Sequence, residues 1–104
     1  MKYGFHPEAE LEILEAAARY EAEVPGLGLE FGDEVERVIE LLLDGPELGA
    51  QVDGDIRHFV LRRFPFSVIY VLVGTLVYVL AVAHSSREPG YWASRFGGRR
   101  SGDR

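Results

Sequence analysis

IRHFVLRRFPFSVIYVLVGTLVYVLAVAH, residues 56–84, decides the fold. Val68 to Ala83 is a run of 16 residues of nearly unbroken apolar character, interrupted at Gly74-Thr75. A membrane-spanning helix needs about 20 such residues, so the run reads as two strands joined by a tight turn. Gly74 stands at the first central position of a two-residue type II′ turn, where φ must be positive. Pairing Val73 with Leu76 then places Tyr70 opposite Val79 and Ile69 opposite Leu80. That register predicts one face of Ile69, Val71, Tyr78, Leu80 and Val82, and another of Phe66, Val68, Tyr70, Val77 and Val79. Ahead of the hairpin, Ile56 to Leu61 is rich in β-formers, and Arg62-Arg63 before Phe64-Pro65 marks a bulge or bend into the strand Phe66 to Val73.

A hairpin that is apolar on both faces must be covered on both. One cover lies upstream. Ala9, Ile13, Ala17, Tyr20 and Val24 form a helical stripe that starts after Pro7, a residue suited to a first turn, and stops at Pro25-Gly26. After Gly28, the positions Phe31, Val35, Val38, Ile39 and Leu42 form a second stripe, closed by Asp44-Gly45-Pro46. Tyr3 to Phe5 precedes both as a short strand. The second cover is expected from Pro89 to Phe96, with a partner chain over the rest. The predicted architecture is α+β: an N-terminal strand, an antiparallel helical hairpin packed on a mainly antiparallel sheet completed by a three-strand meander, and a short C-terminal helix or turn. It occupies residues 3–96 as one domain, and residues 97–104, GGRRSGDR, read as a disordered tail.

The net charge of −6 hides a division. Residues 1–55 carry 15 acids and 3 bases, a net of −12, whereas residues 56–104 carry 8 arginines and 2 acids, a net of +6. An overall acidic chain repels bulk nucleic acid, so any phosphate or acidic segment is met locally, at the arginines. There is no cysteine, hence no disulfide and no thiolate metal site, as suits the cytoplasm. The acidic start is not that of a secretory signal, and no segment predicts a membrane span. His6, His58 and His84 are dispersed without metal-ligand spacing, so no metal and no cofactor is expected. PGLG (25–28) ends a helix and does not follow a strand as a phosphate loop would, and no nucleophile–base triad is evident.

Arg57, Arg62 and Arg63 fall near the ends of the strand Ile56 to Leu61, and Arg87 and Arg95 follow the last strand with Tyr91 and Trp92 between them. Guanidinium groups bind phosphate or carboxylate in a bidentate way, and the rings offer a stacking surface. The plainer role for each arginine is pairing with the acidic helices. His58 and His84 are acid–base candidates near neutral pH or hydrogen-bonded structural histidines.

FHPEAELEILEAAARYE (5–21), PGLGLEFGDEVERVI (25–39), IRHFVLRRFPFSVIY (56–70) and LAVAHSSREPGYWASR (80–95) together resemble the RelE/ParE superfamily of toxins from type II toxin–antitoxin systems. FPF-x-V-I-Y followed by AVAH-xx-R-x-P-x-YW is similar to the branch called plasmid stabilisation proteins. The resemblance implies growth arrest, neutralisation by a cognate antitoxin that wraps around the toxin, and a toxin–antitoxin hetero-oligomer; an acidic antitoxin tail would suit the arginines. It also implies one of two targets.

RelE-like members cut messenger RNA in the ribosome, using basic side chains and a C-terminal tyrosine base; ParE-like members inhibit DNA gyrase. Tyr91 matches the tyrosine, Arg87 lies near the basic cluster, and Arg57 and His84 complete the candidate catalytic group. Arg62, Arg63, Trp92 and Arg95 remain as nucleic-acid or partner-binding residues. Arginines that RelE-like sequences carry fall on Ser67 and Ser85, and lysines fall on His58 and Val60. Loss of several charges that act together costs orders of magnitude in rate. Gyrase is therefore the leading target, with endoribonuclease activity and an attenuated toxin acting as co-repressor as the alternatives.

Overall fold

The computed structural model describes residues 1–96; the predicted tail at 97–104 lies outside the described residues. The elements are β1 (Lys2–Phe5), α1 (Pro7–Glu23), α2 (Leu27–Asp44), β2 (Ala50–Asp53), β3 (Ile56–Val60), β4 (Phe66–Val73), β5 (Leu76–His84) and a 3₁₀ turn, Ala93–Arg95. Five strands form one sheet in the order β1-β5-β4-β3-β2. Strands β2 to β5 are an antiparallel meander, and β1 lies parallel to β5 with Phe5 opposite Val79. The predicted α+β architecture is the observed one, extended by β2. AQVD is exposed at all four positions, so it carries no buried alternation that could have marked it as a strand.

Local chemistry sets the helix ends. His6 caps α1, its Nδ1 accepting the Glu8 N–H at 3.0 Å. Gly26 takes φ 90 between the helices. Glu21 of α1 then caps α2, accepting the N–H groups of Gly26 at 2.9 Å and Gly28 at 3.0 Å. Leu27 and Gly28 therefore belong to the first turn of α2, and PGLG both ends one helix and opens the next. Val24, predicted as the last core position of α1, is exposed, and Ala16 is buried instead.

The helices cover one face of the sheet. Phe31, Val38 and Leu42 of α2 meet Val68, Tyr70, Val77 and Val79, all fully or almost fully buried. Tyr20, Phe31, Phe64 and Phe66 form a ring cluster, with centroids 5.0 Å apart for Tyr20–Phe64 and Phe31–Phe66. FPF is thus a core anchor at the β3–β4 connection.

The hairpin register corrects the prediction. Gly74 has φ 62, and the pairing runs as expected from Val73–Leu76 to Tyr70–Val79. Ile69 then lies opposite Ala81, not Leu80, because the ladder shifts by one residue between Ile69 and Tyr70. Leu80 is the extra residue of a bulge. Leu80 and Ala81 both join the second apolar cluster with Ile56, Ile69, Val71, Ala83 and Trp92. Val82, predicted for that face, turns to the helices beside Val68.

One carboxylate beneath α2 ties the β3–β4 connection to the helix. Glu34 is 8% exposed and receives both Nε (3.2 Å) and Nη2 (2.9 Å) of Arg37 and the N–H of Arg62 (2.7 Å). The Arg37 hydrogen bonds chiefly, with the Arg62 N–H, outweigh burial and hold its pKa at about 2, below the ordinary 4.5. A depressed carboxylate stabilises the fold above its unfolded pKa and loses that contribution as pH falls from about 4.5 toward about 2. Glu34→Gln is expected to lower the urea-unfolding free energy at pH 7 by about 1–3 kcal/mol. The difference from the parent should shrink at pH 3; an equal difference at both pH values would contradict the assignment.

Candidate functional site

The sheet face opposite the helices is only partly covered. Tyr91 to Phe96 crosses the β5 side, with Trp92 buried against Leu80 and Ala81 and Tyr91, Ala93 and Phe96 packed around it. This is the cover expected from Pro89 to Phe96. Toward β2 and β3 the face is open, with Val52 and Val60 exposed. Between the two lies a cleft of about 570 Å³, whose polar lining includes His58, Ser67, His84, Ser85, Arg87 and Tyr91, with Asp53 and Glu88 beside them.

Tyr91 is fixed by a carboxylate that sequence reading overlooked. Its hydroxyl donates to Glu12 Oε2 at 2.8 Å. Arg95 grips the same carboxylate, Nη1 to Oε1 at 3.1 Å and Nη2 to Oε2 at 3.0 Å, and Nη1 also reaches the Leu80 carbonyl at 3.0 Å. Oε1 of Glu12 accepts the Val82 N–H at 2.9 Å. These bonds explain the position of the bulge. Strand β1 pairs with β5 only as far as Val79, and just beyond it Glu12 and Arg95 satisfy the β5 groups that β1 does not reach. Burial, and then the hydrogen bond and charge of Glu12, push the Tyr91 hydroxyl well above the ordinary tyrosine range. It is a committed donor to an anion.

A signal for Glu12 does exist in the sequence. It lies on α1 next to the buried Ala9–Ala16 side, and positions three and four residues away, Glu8, Ala9, Glu15 and Ala16, offer no cation. An acid so placed requires a distant partner.

Arg87 stacks over the Tyr91 ring, its guanidinium carbon 3.7 Å from the centroid, and makes no ion pair among the described residues. His84 lies edge-on to Phe66, and its Nδ1 accepts the Ser86 N–H at 3.0 Å, so Nε2 carries the proton of the neutral ring. Arg87, Tyr91 and His84 are thus brought to one cleft. Arg57 is not. Paired opposite Tyr70, it points to the other face and donates to the carbonyls of Glu47 (3.2 Å) and Gly49 (2.6 Å). Arg63 pairs with Glu30 at 2.7 Å on the surface, and Arg62 lies beside it with its backbone on Glu34. Trp92 is 7% exposed and Arg95 is held by Glu12, so both support the cleft from behind.

Among the described residues, no group of three or more His, Cys, Asp or Glu is placed to hold a metal ion, and no helix is long and apolar enough to cross a membrane. Ser67 and Ser85, the positions where RelE-like sequences carry arginine, both line the cleft.

The comparisons agree with this architecture. No curated protein matches the sequence. A solved structure described as the chromosomal ParDE TA system from P. aeruginosa has a similar fold, with a TM-score of 0.71 at 18% identity, covering 81% of this chain and 95% of that one. Residues 3–89 match the sequence profile of the ParE toxin of the type II toxin–antitoxin system, parDE. With most of its length inside that match, the chain belongs to the ParE toxin family.

Proposed function

We propose that this toxin arrests growth by docking on DNA gyrase through the open sheet face and its cleft, without cleaving a substrate, and that a cognate antitoxin neutralises it by covering that face. One observation carries the reading: the Tyr91 hydroxyl, the match to the RelE-like base, is bonded to Glu12 and raised in pKa. A base must be able to give up its own proton first, and a phenol held as donor to a carboxylate opposes that. With serine at 67 and 85, Arg87 is the one guanidinium in the cleft lining, where a phosphorane needs several fixed charges. Docking asks only for complementary shape and charge, which exposed Val52 and Val60 on the open face and Arg87 in the cleft supply. The antitoxin partner is inferred from the family and from the ParDE system of P. aeruginosa.

The gathering of His84, Arg87 and Tyr91 in one cleft favours the second reading, messenger RNA cleavage, and the two are separable. Purified protein is expected to inhibit supercoiling by gyrase. Arg87→Glu, which reverses an exposed charge without touching the core, should raise the half-inhibitory concentration by about tenfold or more. Undiminished supercoiling at micromolar toxin would overturn the gyrase assignment.

A further inference from the structure

We propose that the cleft receives a single carboxylate side chain of the docked protein, with Arg87 as its anchor and Glu12 as the residue that positions Arg87. The proposal rests on the docking reading above and names the chemistry of its partner.

Donors without partners converge on the cleft. The Arg87 guanidinium has no ion pair, and the hydroxyls of Ser67 and Ser85 and the ring of His58 have no hydrogen-bond partner among the described residues. The proton on Nε2 of His84 adds another donor, because Nδ1 is occupied by Ser86. Hydroxyl, imidazole and guanidinium donors around one cavity suit an anion, and bonds to a charged acceptor are the stronger ones.

The charge around the cleft selects among anions. Asp53 and Glu88 line the same cavity, and the chain as a whole carries −6. A polyphosphate strand running through the cleft would meet both acids and gains from one free arginine only. An isolated carboxylate flanked by neutral or basic residues can reach Arg87 and leave Asp53 and Glu88 facing its neighbours. A protein side chain therefore fits better than a nucleic-acid backbone.

Arg87 is also held in advance. Its guanidinium stacks on a ring that is held in place, since the Tyr91 hydroxyl is bonded to Glu12 and the Arg95 guanidinium stands 5.1 Å from the ring centroid. A side chain ordered before binding loses less entropy on contact. Glu12 thus reaches the cleft through Tyr91 without touching the ligand.

The test is an NMR titration of the full chain with the capped peptide Ac-Ala-Ala-Glu-Ala-Ala-NH2 and its Gln counterpart, with inorganic phosphate and a uridine hexanucleotide alongside. The Glu peptide should shift the amides of Ser67, Ser85 and Arg87 saturably, and the Gln peptide should bind about tenfold more weakly or not at all. Arg87→Gln should abolish the difference between the peptides, and Arg19→Gln, at an exposed position of α1 outside the cleft lining, should leave it intact. Glu12→Gln should weaken Glu-peptide binding severalfold while the chain remains folded by its amide spectrum. Equal binding of the two peptides, or tighter binding of phosphate or the hexanucleotide at the same amides, would overturn the carboxylate assignment. The two readings fail separately. Equal peptide binding by a protein that still inhibits gyrase removes the carboxylate and keeps the docking; Glu-selective binding at Arg87 by a protein inert on gyrase removes the target and keeps the ligand class.

Discussion

Glu12→Ala is expected to lower the unfolding free energy by about 3–5 kcal/mol, because it deletes one partner of a desolvated ion pair and leaves the other behind. The Glu12 and Arg95 side chains are each only 14% exposed. Without the carboxylate, the Arg95 guanidinium keeps the Leu80 carbonyl alone, and the Tyr91 hydroxyl and Val82 N–H lose their acceptors. A domain of this size has about 5–15 kcal/mol in total, so the loss is a large share of it. The damage should be directional. Tyr91 to Phe96 is fastened to α1 and the β5 edge by this carboxylate, so Trp92 should become more solvent-exposed, seen as a red shift in its fluorescence at urea concentrations where the parent is native. A loss under 1 kcal/mol, with Trp92 emission unchanged, would contradict the role assigned to Glu12.

Gly49→Ala is expected to cost about 3 kcal/mol, from overpacking and broken hydrogen bonds. A Cβ at Gly49 would meet the Tyr70 hydroxyl at 2.6 Å, the His58 carbonyl at 2.7 Å and Tyr70 Cε1 at 2.8 Å. Tyr70 is completely buried; its hydroxyl accepts the Gly49 N–H at 2.9 Å and donates to the Pro46 carbonyl at 2.7 Å. The strand carbonyl cannot move and the ring has no space, so the α2–β2 connection must shift, and the bond from Arg57 to the Gly49 carbonyl shifts with it. Urea titration of the single variants and of Gly49→Ala with Tyr70→Phe gives the coupling. Removing the hydroxyl should recover part of the loss, since the His58 carbonyl still opposes the methyl group. Full additivity would show that the Tyr70 hydroxyl is not what the methyl group meets.

The helical stripes and the hairpin were legible because each is a local pattern with a physical period. Gly74 marked its turn for the same reason, and Phe64 and Phe66 flanked the bend they anchor. The bulge at Leu80 was not legible. It depends on Glu12 and Arg95 arriving from 70 and 15 residues away in sequence to bond Val82 and Leu80 respectively. An alternating pattern cannot announce a residue that breaks the alternation, so Val82 was assigned to the wrong face. Arg57 was misplaced by a related ambiguity. Strand parity puts it on one face or the other according to how many residues the Leu61–Pro65 bend absorbs, and a slip of one reverses every side chain. The observed pairing, Val60 with Ser67, sends His58 to the cleft and Arg57 away from it. Arg87, His84 and Tyr91 line one cleft because they follow one strand end closely in sequence. Glu12, the residue that holds Tyr91 in place, lies 79 positions from it.

A cleft that docks a protein, as proposed, leaves RNA uncut. The most direct measurement is primer extension on messenger RNA bound in programmed ribosomes, with purified toxin in molar excess. Intact transcripts are expected under conditions where the same preparation inhibits gyrase. Discrete toxin-dependent fragments that disappear with Tyr91→Phe would contradict it.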